Sequence, residues 1–390
     1  MWRWIALALV AVMIVIFGFS LVSVGGGEQI SARALLGSVN ADPAGYSRAI
    51  DPYEWNFPAD YGPHSDYQTE WWYYTGNLAD ENGRRFGYQF TIFRRAILPE
   101  SASSDTDSEW RTDQVYMVHF TVSDIEGDNF YHAQRFSRGS AGLAGAESEP
   151  RYRVWLEDWE IAAQNDNATL TTINAAGTDE NVGDFAISLT LDQIKPPALQ
   201  GDNGLSPKSD EPGNASYYYS LSRLITDGEI TVGGQTYTVS GTSWKDHEFG
   251  TSALGPDATG WDWFGLHLDD NRELMLGQIR LSEGGREPMF GGLLVNEDGS
   301  TRYLSSEDFT ITATDQWTSP HSGAIYPAGW DIAIDVDGEP LNLTLTPLIN
   351  DQELQTSPSY WEGAVRIGGD VSGYGYAELT GYVQAMQGYF

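Results

Sequence analysis

YQTEWWYYTGNLADENGRRFGYQFTIFRRAI, residues 67–97, decides the fold. Two runs rich in aromatic and β-branched residues flank the turn ADENG, which is the pattern of a β-hairpin. Side chains alternate along a strand, so Glu70, Trp72 and Tyr74 fall on one face and Trp71, Tyr73 and Thr75 on the other. A strand with one face in water alternates rings with polar residues; here both faces are aromatic. The strand is either buried twice or lines a cavity.

The same style of sequence continues towards the C-terminus. PESASSDTDSEWRTD, residues 99–113, reads as an acidic loop, and VYMVHFTVSD with FYHAQRFSRG as a second hairpin carrying His119 and His132. The strand-like runs YRVWLEDWEIAAQ, ATLTTINAAG, DFAISLTLDQI, YYYSLSRLIT, GEITVGG and QTYTVSGTSW follow. A Pro- and Gly-rich excursion, KPPALQGDNGLSPKSDEPGNAS at 195–216, interrupts them and reads as a lid or a disordered insert. After Gly260 a second set of short strands begins, with Asp-Gly and Asp-Asn turns and no internal repeat. The fold class is therefore all-β, with an N-terminal domain over 61–250 that is an up-and-down barrel or a strongly bent sandwich and a C-terminal domain of the same style over 251–390. Residues 28–60 lack periodicity and read as a linker.

Residues 5–24 are an uncharged apolar run of about the ~20 residues that cross a bilayer. Residues 1–27 are thus a signal anchor or a cleaved signal peptide, and the rest of the chain is expected outside the cytoplasm. The net charge is -34, from 55 acidic and 21 basic residues, and the only lysines are Lys195, Lys208 and Lys245. Nucleic acid, which is bound through a basic footprint, is excluded as a partner, and membrane contact is expected only through the N-terminal segment. With no cysteine, thiolate metal centres and disulfides are excluded too.

Chemistry-bearing residues concentrate in SGTSWKDHEFGTSALGPDATGWDWFG, residues 240–265. Asp246, His247 and Glu248 stand beside Trp244 and Phe249, and Asp262 stands among Trp261, Trp263 and Phe264. Burial by large rings makes an unpaired charge costly, so these groups either shift their pKa values for a purpose or pair internally. The stretch also marks the junction of the two barrels, where ligand sites often lie. Alternation puts Asp246 and Glu248 on one side and His247 on the other, so the three cannot meet one metal ion. There is no GxSxG elbow for a serine hydrolase.

EWWYYTGNL at 70–78, SWKDHEFG at 243–250, WDWFGLHL at 261–268, and YWEGAVRIGG with GYGYAELTGY at 360–382 resemble the lipocalin-like family that includes carotenoid 1,2-hydratase and the AttH-type bacterial exported proteins. The resemblance implies two lipocalin-like barrels, an apolar pocket near their junction, and no metal or organic cofactor. It implies as ligand a lipophilic small molecule of isoprenoid or polyketide-like character. Members differ in chemistry, between water addition to an alkene, cyclisation and no reaction.

Hydration of an unactivated alkene needs a carboxylic acid kept protonated near neutral pH, a ring face for the cation, and a base for water. Asp246 or Asp262 is the candidate acid and His247 the base or relay. Trp244, Glu248, Phe249, Trp261, Trp263, Phe264, Trp72 and Glu70 complete the candidate ligand-binding set. The competing account is structural: Asp246 and Glu248 pair with Lys245, Arg223 or Arg280, Glu70 bridges to Arg94 or Arg95, and His119 and His267 are satisfied core histidines. The rival function is a non-catalytic lipophile carrier or a cell-envelope interaction protein.

Overall fold

The structure is a computed structural model and describes residues 44–99, 112–251 and 254–386. The expected leader over 1–27 and nearly all of the acidic loop lie outside the described residues. Among the described residues the one helical element is a 3-10 turn, Ala59–Tyr61, and no helix is long and apolar enough to cross a membrane.

The first sheet is built from β1 (Thr69–Asp80), β2 (Arg85–Ala96), β3 (Gln114–Asp124), β4 (Asn129–Arg138), β5 (Ala144–Glu147), β6 (Arg153–Leu156) and β7 (Trp159–Ala163). It continues through β8 (Leu170–Asp179), β9 (Gly183–Gln193), β10 (Ala198–Leu199), β11 (Leu205–Pro207), β12 (Ala215–Val232) and β13 (Gln235–Gly250). The second sheet contains β14 (Ala258–Leu268), β15 (Glu273–Leu281), β16 (Gly292–Val295), β17 (Thr301–Leu304) and β18 (Phe309–Thr318). Its remaining strands are β19 (Ile325–Val336), β20 (Glu339–Pro347), β21 (Glu353–Leu354), β22 (Tyr360–Gly369) and β23 (Gly373–Leu379). All pairings are antiparallel, and in each sheet the first strand lies between the second and the last: β1 between β2 and β13, β14 between β15 and β23.

The first sheet closes almost into a barrel. Its edge strand β4 returns beside β8, where the His132 amide donates to Asp179 Oδ2 at 3.1 Å and Arg135 Nη2 to the Ala176 carbonyl at 3.3 Å. Burial of Trp72, Tyr74, Phe90, Phe120, Trp159 and their neighbours fills the interior. The second sheet wraps a separate core around Phe264, Trp330 and Trp361.

Both faces of β1 are buried, as its two rows of rings require. Trp72 and Tyr74 enter the first core, whereas Tyr73, with Trp71 beside it, packs against Trp244, Trp263 and Tyr376 in a third cluster between the sheets. The sheets approach closely there: a Cβ on Gly87 of β2 would lie 2.8 Å from the Ala364 Cβ of β22, inside van der Waals contact.

Three segments depart from the sequence reading. YRVWLEDWEIAAQ is two strands, because Glu157 adopts φ 57° and turns the chain between β6 and β7. YYYSLSRLIT and GEITVGG are one strand, β12, with a bulge between Leu221 and Leu224. The excursion 195–216 is not a disordered insert: β10 and β11 pair along β12. Residues 44–60, read as linker, pack Tyr53, Trp55 and Phe57 against Tyr217, Tyr219 and Phe249. Three adjacent rings in an otherwise aperiodic stretch are too apolar to remain in water.

Polar contacts join the sheets. At the β12 bulge Lys195 Nζ lies 2.8 Å from Glu273 Oε2 on β15, Arg223 Nε also bonds Glu273, and the Ser222 carbonyl faces His267 Nε2 at 2.8 Å. His119 Nδ1 meets the Tyr360 hydroxyl at 2.7 Å. Arg223 therefore serves Glu273, not Asp246 or Glu248.

Candidate active site

A cavity of about 110 Å³ lies between the two sheets. Trp71 and Tyr73 of β1 and Trp261 and Trp263 of β14 form its aromatic walls, with Ile279, Leu254 and Phe290 around them. Three carboxyl groups face it: Asp246 and Glu248 from β13, and Glu378 from β23. Register explains the assembly. Asp246 pairs with Tyr73 and Glu248 with Trp71 across β1–β13, while Glu378 pairs with Trp263 across β14–β23, so acids and rings alternate along one surface.

Asp246 is fully enclosed by donors. Tyr218 Oη donates to Oδ2 at 2.6 Å, and Ser220 Oγ and Trp244 Nε1 donate to Oδ1 at 2.6 Å each. Burial pushes its carboxyl up to about 7, although these three donors and the nearby Glu248 charge pull in opposite directions. Tyr218 in turn accepts from Trp263 Nε1 at 3.1 Å, which ties the acid to the cavity wall. Among the described residues Glu378 has a single donor, Trp261 Nε1 at 2.9 Å. Burial raises it too, to about 7; Trp261 opposes the rise and the charges of Asp246 and Glu248 add to it.

Glu248 is paired differently from either sequence expectation. Lys208, carried by the 195–216 excursion, places Nζ 2.7 Å from Glu248 Oε1, with Ser216 Oγ as a second donor. The same ammonium lies 4.5 Å from the Phe290 ring centroid, so an ion pair and a cation–π contact together cap one side of the cavity. Lys245, expected as a partner, points the other way: its Nζ is buried among the rings of Tyr61, Tyr74, Tyr152 and Tyr219 and donates to Tyr219 Oη at 3.2 Å. Burial pushes it well below the ordinary lysine range, against the pull of Glu70.

His247 lies on the opposite face of β13 from Asp246 and Glu248, as alternation demands. Its Nε2 is 2.8 Å from Glu70 Oε1 and its Nδ1 2.8 Å from the Tyr219 hydroxyl. The acceptor-only Glu70 assigns the ring proton to Nε2, and Tyr219 donates to Nδ1. Burial drives His247 down to about 3, so the ring is neutral. Glu70 also accepts from Arg94 Nε at 2.8 Å and from the backbone and ring of His64. Desolvation opposes its ionisation, but the Arg94 charge and the two histidines hold it well below the usual carboxylate range. The bridge runs to Arg94 and not to Arg95.

Ligand-capable atoms of His64, Glu70 and His247 lie within 4.8 Å of one another, a grouping that residue spacing alone does not announce. Four donors already occupy the Glu70 oxygens, and the Arg94 guanidinium beside them repels a divalent ion. The cluster is complete as a hydrogen-bonded network joining β1, β2, β13 and the 3-10 turn.

Of the sequence candidates, the structure brings Asp246, Glu248, Trp261 and Trp263 to the cavity and sets Trp244 directly behind Asp246. Trp72, Glu70, His247 and Phe249 occupy the inner side of the first barrel; Trp72 donates Nε1 to the Tyr61 carbonyl at 3.0 Å, and Phe249 stacks on His64 at 3.6 Å. Asp262 and Phe264 face into the second. Asp262 is held by Arg280 at 3.1 Å, Gln278 at 2.8 Å and Tyr382 at 3.0 Å, and Phe264 packs on Trp330. Glu378 was not among the sequence candidates, nor was Lys208. Each had a signal: a glutamate inside the apolar run GYAEL, and one of only three lysines in the chain.

The AttH-like family is matched over residues 48–382, and the chain belongs to that family. A solved structure of a candidate AttH from Nitrosomonas europaea is 32% identical, covers 86% of this chain and 99% of its own, and superposes with a TM-score of 0.74. Kievitone hydratase from Nectria haematococca shares the fold at 14% identity, with 86% of this chain and 96% of its own covered and a TM-score of 0.63. No curated protein matches the chain in sequence.

Proposed function

We propose that this member of the AttH-like family holds an unsaturated, isoprenoid or polyketide-like molecule in the cavity between its barrels and adds water across a carbon–carbon double bond. The observation that carries this reading is the pair of carboxyls, buried Asp246 and half-buried Glu378, both raised to about 7 and facing an aromatic-walled cavity. Hydration needs one acid and one base that exchange roles near neutral pH, and two such groups supply both.

The number of donors assigns the roles. Three hydrogen bonds favour the anion of Asp246, whereas Glu378 has one and keeps its proton more readily. Glu378 gives its proton to one alkene carbon. The cation at the other carbon faces the indoles of Trp261 and Trp263, water forms the new C–O bond, and the proton that water releases passes to Asp246. The proposal moves the acid role from Asp246 or Asp262 to Glu378, and the base role from His247 to Asp246.

A cavity of about 110 Å³ is smaller than the ~150 Å³ that encloses a benzene ring, so it suits the reacting end group of a longer molecule. The fold is compatible with such chemistry, since a protein of the same fold bears the name hydratase. Export is part of the proposal and rests on residues 5–24; cell fractionation tests it.

The test is incubation of the protein with terpenoid and prenylated phenol probes in ¹⁸O-labelled water, followed by mass spectrometry. Incorporation of one labelled water, lost in Asp246→Asn and in Glu378→Gln while the probe still binds, is the expected result. A probe that binds but never gains water, with neither substitution changing its fate, makes the protein a carrier.

A further inference from the structure

Glu362 and Glu378 stand directly opposite each other in the β22–β23 ladder, with side chains on one face. Like charges in that position repel; Glu362 has 0% of its surface exposed, and Glu378 is half-buried against the cavity. Glu378 lines the cavity; Glu362 sits behind the wall, where Tyr73 Oη donates to its Oε1 at 2.7 Å and its Oε2 has no partner among the described residues. The other titratable groups acting on the pair are Tyr73 from β1, Asp246 and Glu248 from β13, Tyr360 from β22 and Tyr376 from β23. His119 of β3 reaches Tyr360 and is kept neutral by burial. From β14 come only indole rings. Lys208, the one basic side chain lining the cavity among the described residues, is committed to Glu248.

Two carboxyls opposite each other, with no cation between them, cannot both ionise. We propose that Glu362 is a second acid behind Glu378, and that the two form a dyad limited to one negative charge at neutral pH. Glu362 keeps its proton when Glu378 has given its own away. The protonated Oε2 then turns towards the charge that Glu378 develops and sets its strength as an acid. Glu362 is a positioning residue acting through Glu378, and its catalytic meaning rests on Glu378 being the proton donor. Burial and the Glu378 charge both push its carboxyl well above the ordinary range, in the same direction as the geometry.

Infrared titration of the carboxylic C=O band in the full chain tests this without any substrate. The wild type is expected to show two enclosed carboxyls that titrate near neutrality, one lost in Glu378→Gln and the other in Asp246→Asn. The Glu362 carboxyl should stay protonated where those two have ionised, its band vanishing in Glu362→Gln and returning in Glu362→Asp. In Glu378→Gln the Glu362 carboxyl should titrate at least about one pH unit lower, a tenfold change in proton affinity, because the opposing charge is gone. The dyad is overturned if the Glu362 carboxyl ionises together with the groups that titrate near neutrality, or if the persistent band survives Glu362→Gln. Should Glu362→Gln fail to fold, the Glu378→Gln arm decides alone, and no downward shift overturns the dyad. A Glu378 component titrating in the ordinary carboxylate range removes the proton donor instead, with the Glu362 band judged separately.

Discussion

Asp246→Asn is expected to stabilise the protein in mildly alkaline solution while abolishing turnover. The folded-state carboxyl is raised to about 7 against an ordinary 3.8, so between these values the native state holds a proton that the unfolded chain has lost. Stability conferred by that proton is full below the unfolded pKa and is lost as pH rises through the folded one. Between about pH 5 and pH 8 the wild type loses roughly 2.5 kcal/mol from this group, at about 1.4 kcal/mol per pH unit up to the folded pKa. Asparagine carries no charge and avoids the loss. Its carbonyl can still accept from Ser220 and Trp244, and its amide faces the Tyr218 oxygen. Urea unfolding of both proteins at the two pH values isolates the effect, because the difference of differences cancels whatever the substitution does to packing. A gap that stays constant between pH 5 and pH 8 would refute the raised Asp246 carboxyl, and with it the acid–base pair.

Lys208→Met should leave Glu248 buried without its cation, lowering stability by roughly 3 kcal/mol and speeding the exchange of a bound apolar fluorophore, read by stopped-flow. Lys245→Met should instead raise the melting temperature at neutral pH. The buried amine has no carboxylate at hydrogen-bond distance and a depressed pKa, so its protonation opposes folding below the ordinary lysine pKa. Gly87→Val should separate the two sheets or unfold the chain, because the new side chain meets Ala364; limited proteolysis between residues 251 and 258 reports the separation, and unchanged resistance would refute the close approach.

Much of the fold was legible because β1 is aromatic on both faces, and only burial on both sides accommodates Trp72 and Tyr74 on one side and Trp71 and Tyr73 on the other. Alternation in KDHEFG likewise separated His247 from Asp246 and Glu248 before any coordinates. What alternation leaves open is which face meets the cavity, and that depends on how the second sheet docks. For this reason Phe249, Trp72 and Glu70 belonged with the candidates on composition and lie elsewhere in space. The opposition of Glu362 and Glu378 is a matter of register between strands separated by a turn, and neither run alone places one glutamate opposite the other. Lys208 was hidden in a segment whose prolines and glycines announced a loop but not its path along β12.

The pairing of β1 with β13 also sets an order in time. Thr69 meets Gly250, so the first barrel cannot close until the chain has been made as far as residue 250. Contacts of such long separation form slowly, since loop-closure entropy is lost before any contact offsets it. Until then the outer rings of β1, Trp71 and Tyr73, face water, and the surface on which the second sheet docks does not exist. Nascent chains halted shortly before β13 are therefore the species most prone to aggregate, and a chaperone engaging this protein would bind it in that interval.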